Sequence, residues 1–361
     1  MSGLDQPIVI ANSCYHVGHE RSWRVAEEQG YPEQEGLDRY VYERGGLITG
    51  KQEFEGLGQI MWERGVDIAT AVDVRAAIVQ RSHGADAYIV GGWRVQLAPK
   101  LIGAKGMSRP EDLRGARSVV REKWDLRYIS ICGALRKFKI DPEREIDWIE
   151  VPTTGYTSDE SVGDLLRTGQ VTMLPIDGTE ADRLMAEGYP LILDLEAYYK
   201  GMGAWPPGKV IVATRQTIDH RADDLHAFLR ASVRGFWFAS DPRNHAYMYD
   251  LETRLRGATF NADERRLRLR KSEKSLEAKN ASTVIGEHFV LDGLVRRNAL
   301  SRLIEDMVES GELDGPIEVD DVLMDAASID AFENLLGRGL IDADVLARWR
   351  RANGEPAAAT R

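Results

Sequence analysis

The amino-acid sequence predicts an α/β protein with two lobes, and three observations support this prediction. Short apolar runs that favour strands alternate with segments of helical periodicity along most of the chain. The clearest example lies between Gly208 and Ala246, where a β-branched run leads directly into a long apolar stripe. The length of 361 residues suits two hydrophobic cores better than one.

Each element is predicted from its periodicity and from the turn residues that bound it. In the first lobe, strands are predicted at 7–11, 37–43, 67–71 and 85–90, and helices at 18–29 and 53–62. In the second lobe, strands are predicted at 118–121, 147–151, 171–174 and 191–193, and helices at 125–138, 158–168 and 179–187. The first lobe then resumes with a strand at 209–214 and a helix that starts at Asp223 and is ended by Asp241 and Pro242.

The remainder of the chain is predicted to be helical. Alternating charges at 262–279 indicate a solvated helix or linker, and amphipathic helices are predicted at 291–308 and within 329–349. The predicted domains are therefore a first lobe of residues 1–100 and 205–361 and a second lobe of residues 101–204.

Two sequence stretches resemble a known family. The stretch SRPEDLRGARSVV at 108–120 is similar to the entry of that family into its second domain, and the stretch at 208–246 to its later strand and helix. The family comprises solute-binding proteins for nitrate, sulfonate, taurine and thiamine precursors, together with the thiamine pyrimidine synthases. The resemblance implies a type 2 periplasmic-binding-protein fold, with each lobe a sheet flanked by helices and the C-terminal helices packed on lobe one.

The resemblance also implies a function. Family members of this kind capture a small organic molecule in a cleft between the lobes by hinge closure, and a planar anionic or zwitterionic ligand is expected here. An ABC permease is the expected partner if the protein is exported. The sequence itself carries no secretory signal in MSGLDQPIVIANSC, so we expect a cytoplasmic protein, or a periplasmic one if a leader has been removed.

Composition excludes several other classes of protein. The formal net charge of -11 argues against nucleic acid as a partner, because phosphate binding needs a concentrated basic surface. No run reaches the roughly 20 apolar residues of a membrane span, so no membrane insertion is predicted. The paired glycines lack the spacing of nucleotide-binding loops, and we predict neither a cofactor nor a metal.

Ligand contacts are expected in loops that follow the carboxyl ends of strands. Five such loops are predicted, at 12–19, 71–75, 91–94, 121–125 and 175–179. The candidate ligand-binding residues in them are Ser13, Cys14, Tyr15, Asp73, Trp93, Arg121, Trp124 and Asp177. The aromatic rings offer stacking surfaces, the guanidinium group pairs with a carboxylate or sulfonate, and the carboxylates accept from an amine or a ring N–H.

Catalysis is the alternative function. Cys14 lies in the first loop with His16 and His19, and a thiol before a helix N-terminus has a lowered pKa that suits a nucleophile. The position of Cys14 resembles that of the cysteine in desulfinases of this fold. Their motif runs Ser-Asn-Cys, whereas the order here is Asn12, Ser13, Cys14. This alternative is a cytosolic lyase or hydrolase, desulfinase-like or decarboxylase-like. Cys132 instead falls on a helical apolar stripe and is predicted to lie in the core.

Overall fold

The computed structural model of the protein describes residues 6–13, 17–43, 51–95, 99–120, 126–150, 160–176, 178–195, 197–198, 207–256 and 289–352. Its strands are β1 (Ile8–Asn12), β2 (Tyr40–Glu43), β3 (Ile68–Asp73), β4 (Ala87–Val95), β5 (Lys100–Gly103), β6 (Arg117–Val120), β7 (Asp147–Glu150), β8 (Met173–Ile176), β9 (Leu191–Asp194) and β10 (Pro207–Thr214). Its helices are α1 (Val17–Glu28), α2 (Tyr31–Gln34), α3 (Lys51–Arg64), α4 (Val74–Ser82), α5 (Leu126–Lys137), α6 (Pro142–Glu145), α7 (Glu160–Arg167), α8 (Gly178–Ala186), α9 (Arg215–His220), α10 (Ala222–Ser240), α11 (His245–Arg256), α12 (Arg297–Glu309), α13 (Val319–Val322), α14 (Ala326–Gly337) and α15 (Ala343–Ala352). The prediction of an α/β protein is confirmed.

The chain forms two compact units. Unit 1 comprises Met1–Val95, Pro207–Leu300 and Ile317–Arg361, and unit 2 comprises Gln96–Pro206 and Ser301–Pro316. Residues 301–316 were predicted to belong to the first lobe, but they lie in unit 2 because Asp306 of α12 packs closely against Gly133 of α5. Among the described residues, no helix combines the length and apolar character needed to cross a membrane.

Unit 1 is built on a five-stranded sheet with the order β2-β1-β3-β10-β4. Strand β1 pairs in parallel with β2 and β3, and β10 pairs antiparallel with β3 and β4. Strands β1 to β4 therefore all run in the same direction. Their carboxyl ends meet at one edge of the sheet, and β10 begins at that same edge.

Within the described part of unit 2, the strands form two smaller sheets. Strand β5 lies between β8 and β9 and is antiparallel to both, whereas β6 and β7 pair in parallel. Cys132 lies fully buried on α5 beside Tyr128 and Val120, as its helical stripe predicts. The helix predicted at 125–138 is confirmed at Leu126–Lys137.

The core of unit 1 is centred on α10. Phe228 and Phe236 of this helix have no exposed surface. The ring of Phe228 lies 4.8 Å from that of Trp23 in α1, and Phe236 stacks on Phe289 at 5.1 Å. The strand and helix predicted at 208–246 are confirmed as β10 and α10, with the short α9 between them and Asp241 at the C-cap.

Helices α1 and α10 approach one another at Gly235. A Cβ atom built at this position would lie 2.4 Å from the backbone oxygen of Ser22 and 3.2 Å from the Cβ of Ala26. Because a backbone oxygen cannot rotate aside as a side chain can, only glycine fits here without moving one of the helices.

Strand β4 extends further than the sequence predicts. The run predicted to end at residue 90 continues to Val95, so the proposed loop at 91–94 is part of a strand. Gly91 and Gly92 pair with β10, and a Cβ atom on either would lie within 3.2 Å of a backbone oxygen in the segment 293–294. These glycines allow the backbone of β4 to lie close to the segment 293–294, and they do not form a turn.

The C-terminal region also differs from its prediction. The helix predicted within 329–349 is divided into α14 and α15, which Gly339 separates with a φ of +69°. Residues 291–296 precede α12, and the fully buried Asp292 accepts hydrogen bonds from Arg296 and Arg350 at 2.7 and 2.9 Å. This carboxylate fastens α15 to the segment before α12.

Glu35 is a second buried anchor in unit 1. Its side chain is 1% exposed and accepts hydrogen bonds from Arg230 at 3.0 Å, from Arg234 at 2.7 Å and from Arg338. Burial alone would raise the pKa of Glu35, but the hydrogen bonds from the three arginines outweigh it and hold the pKa below its usual value. The ionised carboxylate thus joins the end of α2 to α10 and to the residue that follows α14.

We expect Gly235→Ala to lower the free energy of unfolding by about 1 to 3 kcal/mol, the usual cost of inserting a methyl group into a packed contact. Urea-induced unfolding followed by far-UV circular dichroism measures this loss. The control is Gly337→Ala, because no atom lies within 4 Å of a Cβ built there and alanine favours a helix. Equal midpoints for Gly235→Ala and the wild type would contradict the role assigned to this contact.

We expect Glu35→Gln to lower the free energy of unfolding by about 3 kcal/mol at pH 7, because three guanidinium groups lose their buried counter-charge. Since the folded pKa is lowered, this stabilisation is present above the unfolded value of about 4.3 and is lost as the pH falls through the folded pKa. Urea unfolding of the wild type and of Glu35→Gln between pH 7 and acid pH measures this effect. The difference between their free energies of unfolding should become smaller as the pH falls.

The control for this prediction is Glu145→Gln, which removes a partly exposed carboxylate that pairs with Arg114 and accepts from the backbone N–H of Asp141 at 2.7 Å. Its effect should be much smaller, because solvent screens an exposed ion pair. If the difference in free energy of unfolding between Glu35→Gln and the wild type did not depend on pH, the ionised Glu35 carboxylate would not be the source of the stabilisation.

Candidate functional site

The carboxyl edge of the unit 1 sheet brings together the ends of β1, β3 and β4 and the start of β10. Ligands of open α/β sheets bind at this edge, where loops leave the strands. Helices α1 and α4 follow β1 and β3 there, and their N-termini carry partial positive charge. Three of the five loops predicted to hold the ligand, at 12–19, 71–75 and 91–94, contain these strand ends.

A bulge in β3 shapes this edge. Val72 pairs with Val210 of β10, but the next pair is Ala69 with Val212, so β3 carries one extra residue. Ala71 lies in the bulge with a φ of +54°, a left-handed conformation that a residue with a Cβ rarely adopts. Because successive side chains on a strand alternate in direction, the extra residue resets which face of the sheet Asp73 occupies.

Three charged residues form a row across the edge, which we call the edge row: Asp73 of β3, Lys209 of β10 and Arg94 of β4. Lys209 is the register partner of both Asp73 and Arg94, so the three residues lie side by side on neighbouring strands. The ammonium nitrogen of Lys209 lies 3.6 Å from Oδ2 of Asp73. The guanidinium carbon of Arg94 lies 5.7 Å from the centre of the Phe289 ring.

Asp73 also connects β3 to α4 without a loop. It is the N-cap of α4, and its Oδ1 accepts a hydrogen bond of 3.0 Å from the backbone N–H of Arg75. Arg75 follows in the first turn of α4 and is fully buried.

Buried polar groups lie beneath the edge. Asn12 at the end of β1 and its register partner Thr70 within β3 are at most 1% exposed. Burial raises the pKa of Tyr42 on β2, and the carboxylate of Glu20 raises it further. Tyr42 is therefore a neutral hydroxyl in the folded protein and not an acid or base near neutral pH.

The structure assigns Ser13 to the support of the first loop. Ser13 is fully buried, its backbone N–H donates to the carbonyl of Thr70 at 2.9 Å, and its hydroxyl lies 3.3 Å from the carbonyl of Ala71. Ser13 is thereby held at the bulge of β3.

Trp93 does not have the stacking role predicted for it. It is fully buried, and its ring meets Phe236 of α10 edge-on at 5.0 Å, so the side chain belongs to the core. The predicted loop at 91–94 is in fact strand. Lys209 of β10 pairs with Arg94 and Val210 pairs with Gly92, so Trp93 is the extra residue of a bulge in β4.

Several predicted residues lie outside the described part of the chain. They are Cys14, Tyr15, His16, Arg121, Trp124 and Asp177. His19 belongs to α1, but its side chain is likewise outside the description. The charged linker predicted at 262–279 is also outside it.

Sequence reasoning missed two of the charged residues in the edge row. Arg94 fell within a predicted loop and Lys209 opened a predicted strand, but neither was proposed to contact a ligand. The sequence signal that could have identified them is that both residues lie next to a predicted strand end. The strand pairing that places Lys209 between Asp73 and Arg94 cannot be read from a single sequence.

Taken together, the mixed five-stranded sheet of unit 1, its flanking helices and the strand ends gathered at one edge define a periplasmic-binding-protein fold. Solved structures of that fold match the chain at low sequence identity. The putative sulfonate ABC transporter periplasmic sulfonate-binding protein SsuA of Methylobacillus flagellatus KT superposes with a TM-score of 0.63 at 10% identity, over 93% of this chain and 96% of that chain.

Two further structures illustrate the range of functions within the fold. The periplasmic aliphatic sulphonate-binding protein SsuA of Escherichia coli has a TM-score of 0.58 at 12% identity, over 88% of this chain and 92% of that chain. The desulfurization enzyme DSZB has a TM-score of 0.54 at 11% identity, over 91% of this chain and 99% of that chain. Neither a protein-family model nor a curated protein matches the sequence. These likenesses establish the fold and not the function.

We predict that the thiol of Cys132 does not react in the folded protein. Burial raises the pKa of Cys132 to about 12, so little thiolate forms near neutral pH. In Cys14→Ser, Ellman's reagent at pH 8 should detect no fast-reacting thiol before unfolding and one after unfolding. Rapid reaction of native Cys14→Ser would disprove this assignment, whereas Cys132→Ala isolates Cys14 and lets its pKa be read from the pH dependence of its rate.

Proposed function

We propose that the protein captures a small organic anion at the carboxyl edge of the unit 1 sheet, as a solute-binding protein does. The edge row is the observation that carries this proposal. It places the cationic residues Lys209 and Arg94 side by side on neighbouring strands, next to Asp73 at the start of α4. The N-termini of α1 and α4 add to the same positive field.

The ligand class follows from the chemistry of the edge. Guanidinium and ammonium groups bind carboxylates and sulfonates through charge-assisted hydrogen bonds. We therefore propose an organic sulfonate or carboxylate, which agrees with the ligands named for the two SsuA structures. An ABC permease is the partner that goes with this proposal if the protein is exported.

A lytic enzyme is the second candidate function. Ser13 fastens the first loop to the bulge of β3 and directly precedes Cys14, so the thiol follows a fixed point at the carboxyl edge. DSZB, a desulfurization enzyme, has the same fold. Analysis of each bound compound for chemical change distinguishes the two functions, because a binding protein releases its ligand intact.

The experiment begins with a thermal-shift screen of alkyl and aryl sulfonates, sulfinates and carboxylates, because a ligand of the native state raises its apparent stability. Titration calorimetry of the best compound then measures its affinity for variants of the edge row. We expect Lys209→Gln to weaken binding by about tenfold, the worth of one charge-assisted hydrogen bond. We expect Asp73→Asn to tighten binding by a few-fold, because asparagine still caps α4 and a repulsive charge is lost.

The matched control is Lys100→Gln in unit 2, which removes another lysine from a strand and from a single aspartate partner, Asp182. Its affinity should equal that of the wild type. Weaker binding by Asp73→Asn would show that this carboxylate holds a cationic group of the ligand, and unchanged binding by Lys209→Gln would remove the ligand from the edge row. Either result would overturn the proposed anion site.

A further inference from the structure

An open surface pocket of about 530 Å³ lies beside the C-terminal half of α10 in unit 1. Its lining includes the aromatic residues Tyr31, Trp237 and Phe238 and the cationic residues Arg234 and Arg243. None of the residues that line it belongs to the edge row. A volume of this size is within the range that accommodates small organic ligands.

The pocket adjoins a surplus of positive charge. Arg234, which lines it, shares the carboxylate of Glu35 with Arg230 and Arg338. Three guanidinium groups and one carboxylate leave two positive charges on this cluster. The pair of Arg243 and Asp241 at the pocket rim adds none, since the two charges cancel.

The aromatic walls of the pocket are held in place. The guanidinium carbon of Arg234 lies 3.9 Å from the centre of the Tyr31 ring, which keeps ring and charge stacked. The indole N–H of Trp237 donates to the carbonyl of Leu291 at 2.7 Å, and Phe238 packs edge-on against Tyr247 at 5.4 Å. Fixed rings beside a cationic surplus suit a planar ligand that carries an anionic group.

We propose that this pocket is a second ligand site, for a small aromatic anion such as an aryl carboxylate. The apolar ring of the ligand packs against Trp237 and Phe238, and its anionic group faces Arg234, beside the neutral pair of Arg243 and Asp241. The site is separate from the carboxyl edge and does not depend on the function proposed for it.

The test uses benzoate as the probe and benzamide as its neutral isostere. Two-dimensional NMR of the ¹⁵N-labelled full chain reports the tryptophan indole signals, and the Trp237 signal is the one absent from Trp237→Phe. We expect benzoate to shift this signal in a saturable manner, and benzamide to do so at least about tenfold more weakly. Added salt should weaken the response to benzoate.

The informative variant is Arg243→Glu, because the Arg243 side chain is 88% exposed and its replacement does not disturb the Glu35 cluster. We expect it to weaken benzoate binding by about fivefold. Arg215→Glu is the matched control, since Arg215 is also an exposed arginine that pairs with a nearby aspartate, Asp219. It should leave the response of Trp237 unchanged.

Three results would overturn the proposed site. They are a Trp237 signal that benzoate does not shift, equal responses to benzoate and benzamide, and equal losses in Arg243→Glu and Arg215→Glu. Lys209→Gln separates this site from the carboxyl edge. The Trp237 response should survive in that variant, and its loss there would assign benzoate to the edge row instead.

Discussion

The close contact between Gly235 and the backbone of Ser22 is the constraint on which the rest of unit 1 depends. It brings α1 and α10 so close that only glycine fits between them without moving one of the helices. Helix α1 is the first helix after β1. Helix α10 in turn packs Phe236 against Trp93 of β4. One approach between two backbones thus links two of the strands whose ends form the candidate site.

Charge is distributed unevenly over this framework. The chain as a whole carries a formal charge of -11, yet Glu35 accepts hydrogen bonds from three arginines and Asp292 accepts them from two. The edge row likewise places Lys209 and Arg94 beside Asp73. Because the overall field repels anions and salt screens it within about 10 Å, attraction of an anion has to come from such local groups. A net acidic protein can in this way present specific anion sites.

The sequence predicts the fold better than the site. Periodicity found the strand and helix at 208–246 and the burial of Cys132, because both depend on local pattern and apolar content. It failed at Gly91, which reads as a turn residue but is paired inside β4, and at Ala71, whose left-handed φ has no marker in its residue type. Trp93 was predicted to contact a ligand because residues 91–94 were predicted to be a loop. In the structure these residues belong to β4, and the ring of Trp93 packs in the core. Close approach and register depend on residues far apart in the chain.

Asp73 has two structural roles at the carboxyl edge of the sheet. Its Oδ1 caps α4 and its Oδ2 lies near Lys209, so the carboxylate fixes both a helix terminus and a cation. The same charge opposes any anion that binds beside Arg94. A site composed only of cations would hold an anion more tightly and release it more slowly, since differences in affinity appear mainly in the rate of dissociation. In the proposed function, a carboxylate within the row therefore suits release of the ligand, and its contact with Lys209 gives the edge row a defined geometry.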